Sequence, residues 1–182
     1  VEGDALGMDW CLALCHTVIV DQPTGQYQGS SPDELAIVQW DDRRLSFQAR
    51  THNTITVEHD GGPEVEVWEW LACIEFTSDR RRMSVVVREP RGGKGIWLIC
   101  KGADSVIMPR LQDQQAVEGC LAALEGFAGQ GLRTLCYAAR QIDPQEWQDW
   151  LAGWQRAQAQ VTGRQEALDR EAERLERSLC LV

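Results

Sequence analysis

The sequence predicts an α/β (α+β) fold: a twisted, mainly antiparallel β-sheet flanked by helices. Three observations carry this expectation. Strand-like segments follow one another directly, from Val65 to Phe76, Met83 to Arg88 and Ile96 to Lys101. Pro90-Arg91-Gly92-Gly93-Lys94-Gly95 joins the last two as a hairpin loop, and strands joined this way pair antiparallel. Two helix starts repeat one pattern of cap, proline and acid: Ser31-Pro32-Asp33-Glu34 and Asp143-Pro144-Gln145-Glu146. Finally, 182 residues with 43% hydrophobic content can bury one core, so residues 1–182 are read as a single domain.

The elements follow in chain order. Trp10 to Val20 reads as a short helix running into a strand, and the Pro- and Gly-bearing stretch Asp21 to Gly29 as a loop. A helix starts at Ser31 and should end near Arg44. Ser46 to Glu58 holds two short strands, with Phe47, Ile55 and Val57 as their apolar members, and Gly61-Gly62-Pro63 turns the chain. Asp104 to Leu111 forms a short helix. Ala116 to Gln130 forms a longer one, with Val117, Leu121, Leu124 and Phe127 at helical spacing and Gly131 as its stop. Leu132 to Ala139 is a further strand. The helix opened by Asp143 places Trp147, Leu151 and Trp154 along one face. In the charged tail, Leu168, Ala172, Leu175 and Leu179 form a seam that should pack on the domain.

Composition excludes several function classes. A net charge of −10 argues against polymeric nucleic acid as a partner, but a single nucleotide needs only a local basic patch. The seven cysteines contain no C-x-x-C pair and sit mostly in apolar runs, which points to buried free thiols in a reducing, cytosolic setting. His16, His52 and His59 lack metal-ligand spacing, and Cys11, Cys15 and His16 are read as core. No apolar stretch approaches the length of about 18 residues that crosses a bilayer, and no signal peptide is recognised.

The chemistry concentrates in Glu75-Phe76-Thr77-Ser78-Asp79-Arg80-Arg81-Arg82-Met83-Ser84 and in Lys101-Gly102-Ala103-Asp104. A purine nucleotide needs a flat apolar face for its base and cations for its phosphates. Each residue also has a plainer explanation. Phe76 fits a core aromatic, Lys101 a surface lysine and Glu34 a capping box. Arg80 and Arg82 are expected on a solvated turn. Gly92-Gly93-Lys94-Gly95 lacks the spacing and the following Ser or Thr of a phosphate loop. No Ser-His-Asp or Cys-His arrangement supports covalent catalysis, so no catalytic residue is assigned.

Taken in order, the motifs Cys15-His16-Thr17-Val18, Ser30-Ser31-Pro32-Asp33-Glu34-Leu35-Ala36, Glu75-Phe76-Thr77-Ser78, Arg82-Met83-Ser84-Val85, Lys101-Gly102-Ala103-Asp104 and Gly131-Leu132-Arg133-Thr134-Leu135 narrow the choice. From about residue 10 to the C-terminus, the chain resembles the nucleotide-binding (N) domain of type IV P-type ATPases, the phospholipid flippases. The resemblance implies that Phe76 stacks on adenine and that Lys101 lines the base and ribose end. Glu34 would accept from the adenine amino group, and Arg133 would reach the phosphates. Arg81 stands where many members carry Lys and would also steer phosphate, keeping the charge with a different geometry. Thr77 and Ser78 would, on the same resemblance, add secondary polar contacts. The Trp40-Asp41-Asp42 stretch departs from the small residues more common after the first helix.

The resemblance further implies ATP, accompanied by Mg2+ carried on the nucleotide, and the phosphorylation and actuator domains of a parent pump as partners. It places the domain on the cytoplasmic side of a membrane, excised from a larger protein and monomeric on its own. The sequence contains neither the Asp-Lys-Thr-Gly motif that pumps of this type phosphorylate nor a Thr-Gly-Glu dephosphorylation motif. The competing expectation is a partner-docking module, built on the eight tryptophans and the charged terminal helix.

Overall fold

The computed structural model describes residues 6–41, 45–59, 64–90 and 95–182. Among them, a sheet of seven strands runs in the order of the sequence: β3 (Leu45–Arg50), β4 (Thr54–His59), β5 (Val65–Ile74), β6 (Arg82–Arg88), β7 (Ile96–Gly102), β8 (Cys136–Ile142) and β9 (Cys180–Leu181). All adjacent pairs are antiparallel. β1 (Ile19–Asp21) and β2 (Gln26–Gln28) form a separate hairpin. The helices are α1 (Met8–Leu14), α2 (Pro32–Asp41), α3 (Asp104–Ile107), α4 (Gln114–Gly129), α5 (Pro144–Gln158) and α6 (Arg164–Leu175), with a 3-10 turn at Met108–Arg110. The expected α+β class holds.

The sheet has a core on each face, and strand parity decides which residue goes where. Met83, Val85 and Val87 of β6 join Trp97 and Ile99 of β7 under α1 and α2. Val86, Leu98 and Cys100 point the other way, against α3, α5 and α6. Central strands buried on both faces need continuous apolar runs, which Val85-Val86-Val87 and Ile96-Trp97-Leu98-Ile99-Cys100 supply. Each such side chain contributes roughly 1.5–3 kcal/mol when fully buried.

Both expected caps form. The Glu34 amide donates to Ser31 Oγ at 3.3 Å, and Asp143 Oδ1 accepts from the Gln145 and Glu146 amides at 2.8 and 3.3 Å. The end of α2 near Arg44, the Gly61-Gly62-Pro63 turn and residues 91–94 of the hairpin loop lie outside the described residues. The hairpin itself is closed by Glu89 N donating to Gly95 O at 3.1 Å.

Some expectations are corrected. The Asp21 to Gly29 loop contains β2, which has only Tyr27 as an apolar member. β8 starts at Cys136, so residues Leu132 to Leu135 are not strand. On α5 the buried stripe is Trp147, Trp150 and Trp154, with Leu151 at its border. Trp150 turns inward because α6 packs there and its Nε1 donates to Glu171 O at 2.8 Å. On α4, Leu121 and Phe127 of the expected apolar stripe are exposed. The tail seam packs on the domain as expected, with Ala172, Leu175 and Leu179 in the core beneath α5.

Candidate nucleotide site

A cleft of about 910 Å³ opens where the α2 start, the end of β7, the segment after β5 and the loop before β8 meet. Parity explains its floor. Met83 and Lys101 are paired across β6 and β7, and both face the α1/α2 side of the sheet. The β7 strand therefore delivers Lys101 directly beneath the first turn of α2. There its Nζ lies 2.6 Å from Glu34 Oε1. Both are buried, Lys101 6% exposed and Glu34 7%. Glu34 Oε2 accepts from the Thr17 amide at 3.0 Å and from Thr17 Oγ1 at 2.9 Å.

Two plainer explanations fail here. Lys101 is not a surface lysine. Glu34 lies at the capping-box position but sends its carboxylate across the cleft to Lys101 and Thr17. Burial disfavours its charged form, yet the Lys101 charge and the hydrogen bonds from Lys101 and Thr17 prevail and hold the carboxyl below the usual glutamate range. A carboxylate offers about four acceptor positions, so Oε1 keeps room for one further donor.

Phe76 lies just beyond β5 and is 59% exposed, which rules out a core role. It lines the cleft together with Glu34, Lys101, Arg81 and Arg133. An exposed large aromatic beside a buried ion pair is the informative feature of this surface. Arg81 is exposed and sits in the left-handed region at φ 51°. Its amide donates to Thr77 O at 2.8 Å and its carbonyl accepts from the Ala103 amide at 3.2 Å. Such a backbone costs on the order of 1 kcal/mol or more in a non-glycine residue and persists only where its neighbours impose it. Gly102 permits the close approach, since a Cβ there would stand 2.7 Å from Arg81 O and 2.6 Å from Arg82 Cβ. Arg133 is 86% exposed and reaches Asp33 at 3.3 Å.

Five of the seven expected site residues thus converge. Thr77 and Ser78 do not line the cleft. Thr77 Oγ1 accepts from the Arg80 amide at 3.2 Å and shapes the turn, and Ser78 is exposed outside the cleft. Thr17, Met83 and Leu135 line the cleft without having been singled out as site residues by sequence reasoning. The alternation that carries Lys101 is the available signal for Met83. Leu135 reads as strand in the sequence and is loop in the fold.

Arg80 and Arg82 overturn the solvated-turn expectation, because both are buried on the opposite face of the sheet. Glu176 lies between them and is paired with both. His16 fits the core reading: its Nε2 lies 2.8 Å from Ala13 O, and its Nδ1 accepts from the Val18 amide at 3.1 Å. Burial pushes the thiols of Cys11 and Cys100 up to about 12, consistent with packing rather than reactivity.

The fold and cleft define an α+β domain built around an exposed ring and a set of converging cations. Residues 11–182 match the family described as P-type ATPase, cytoplasmic domain N, and the chain belongs to that family. It is 42% identical over 175 residues to phospholipid-transporting ATPase IC of Homo sapiens. It is 42% identical over 178 residues to phospholipid-transporting ATPase tat-1 of Caenorhabditis elegans, and 42% over 177 residues to phospholipid-transporting ATPase DRS2 of Saccharomyces cerevisiae. Each match covers 94% of this chain but only 13 to 15% of the relative. The resemblance read from the ordered motifs is borne out.

Proposed function

We propose that this domain holds ATP for a phospholipid-translocating P-type ATPase. The observation that carries the reading is Phe76, exposed on the wall of a cleft whose floor is the Glu34–Lys101 pair. The ring offers a stacking face for adenine. The spare acceptor position on Glu34 Oε1 suits the adenine amino group, and Lys101 lies beside it for the base and ribose. Arg81 and Arg133, exposed on the same cleft, suit the phosphates.

In the parent pump the domain grips the base and presents the γ-phosphate to a catalytic aspartate supplied by a neighbouring domain, which takes up the phosphoryl group as ADP leaves. Phosphoryl transfer depends mainly on positioning and charge neutralisation, so a holder separate from the nucleophile is physically sufficient. Mg2+ is expected to arrive on the phosphates of the nucleotide. The phosphorylation and actuator domains are the expected partners, on the cytoplasmic side of the membrane. No helix among the described residues is long and apolar enough to cross a membrane.

The docking-module reading loses its main support. Among the tryptophans, Trp40 is exposed while Trp68, Trp97, Trp147, Trp150 and Trp154 are buried, and the terminal helix packs against α5.

Base stacking contributes roughly 1–3 kcal/mol, so Phe76→Ala weakens ATP binding by about 5- to 150-fold in calorimetry. Unchanged affinity would remove Phe76 from the site. The unsubstituted chain is expected to release no phosphate from ATP above buffer, and turnover would contradict the division of labour.

A further inference from the structure

The turn that carries Phe76 and Arg81 is gripped from behind by the far end of the chain. Glu176 follows α6 directly and is 1% exposed. Its Oε1 accepts from Arg80 Nη2 and, at 2.6 Å, from Ser84 Oγ. Its Oε2 accepts from Arg82 Nε at 2.7 Å. Arg82 also donates from Nη2 to Glu173 at 2.5 Å and from Nη1 to the Arg80 carbonyl at 3.2 Å. The second prong of Arg80, Nη1, donates to the Glu75 carbonyl at 2.9 Å. Glu75 is the residue immediately before Phe76.

Two buried guanidinium groups and a buried carboxylate are a poor way to gain stability, because desolvation consumes most of the attraction. Their arrangement has another consequence. Phe76 is mostly exposed, so packing does little to fix the direction of its ring. That direction depends on the backbone from Glu75 to Arg81, and the backbone is tied at several points. Arg80 holds the Glu75 carbonyl, Arg82 holds the Arg80 carbonyl, and Ala103 holds the Arg81 carbonyl at 3.2 Å. The first two ties lead to Glu176. A ring held ready for its ligand loses less freedom on binding.

We propose that Arg80 and Glu176 are positioning residues of the nucleotide site: Glu176 orients the Arg80 fork, and the fork sets the backbone from which Phe76 and Arg81 project. The proposal rests on the ATP reading above. Neither residue lines the cleft. The segment after α6 is therefore part of the frame of the site, although it lies on the other face of the sheet.

Arg80→Lys is the discriminating variant. A lysine keeps the charge opposite Glu176 but lacks the planar fork that reaches two acceptors at once. The 182-residue chain carrying it is expected to fold and to bind ATP about 3- to 10-fold more weakly. AMP loses the same factor, because the base is common to both ligands. In the nucleotide-free protein the amide resonances of Phe76 and Arg81 move, while those of Val85 and Ile99 in the sheet stay in place. A second variant separates fold from site. Glu176→Gln combined with Arg80→Gln removes opposite charges together, so it is more stable than Glu176→Gln alone, yet its ATP affinity stays low. Wild-type affinity in Arg80→Lys, or affinity that recovers with stability in the double variant, overturns the proposal. Failure of the wild-type chain to bind ATP, or full binding by Phe76→Ala, overturns the adenine reading itself.

Discussion

Glu34 and Lys101 show how much a single contact changes the meaning of a residue. In the sequence they are 67 positions apart, and each has an adequate local explanation. In the fold they form one buried pair, which makes both mutationally sensitive. An unfolded glutamate titrates near about 4.3. Folding lowers the Glu34 value, so the stabilisation from its ionised form is complete above that pH. It is lost as pH falls through the lower folded value. Lys101→Met leaves a buried carboxylate unpaired and should cost on the order of 3 kcal/mol at neutral pH. It should also flatten the acid dependence of the unfolding midpoint below about pH 4.3. Chemical denaturation from acid to neutral pH checks both, and a variant as stable as the wild type would show that the pair is not formed. Arg80 and Arg82 carry the opposite lesson. Within a run of three arginines these two read as solvated charge, and Glu176, which pairs with both, stands 96 residues from Arg80 and 94 from Arg82. No local pattern announces such a partner.

Elements are legible in the sequence wherever side-chain chemistry is local. Ser31 and Asp143 cap the helices they are expected to cap, because the cap bond joins residues two or three apart. Asp143→Ala should therefore destabilise the domain by about 1 kcal/mol while leaving ATP affinity unchanged, as measured by denaturation and calorimetry. A larger loss, or an altered affinity, would mean that α5 is coupled to the cleft. Sequence and fold diverge where tertiary contacts decide. Trp147, Trp150, Leu151 and Trp154 are compatible with more than one helical stripe, and only the position of α6 selects Trp150. The stripe on α4 has the right period, yet Leu121 and Phe127 stay exposed among the described residues. Leu132 to Leu135 resembles strand because it runs straight into the apolar Cys136-Tyr137-Ala138-Ala139, yet Arg133 and Leu135 line the cleft from a loop. β2 escapes a reading by alternation because Gln26-Tyr27-Gln28 has almost no apolar content to alternate.

At the scale of the whole molecule, one sheet separates two tasks. The face under α1 and α2 carries Met83 and Lys101 into the cleft, and the face under α5 and α6 carries Arg82 and Ser84 to Glu176. Successive residues of β6 thus face Glu176 and the cleft in turn. Convergence of the site depends on a meander whose strands are neighbours in both sequence and space, which is why its overall plan can be read without coordinates. The cleft is proposed as an adenine nucleotide site. An amide chemical-shift titration with ATP, with and without magnesium, tests it most directly. Shifts concentrated on Phe76, Lys101, Glu34 and Arg133 are the expected result. Shifts confined to other surfaces, or none at all, would contradict it.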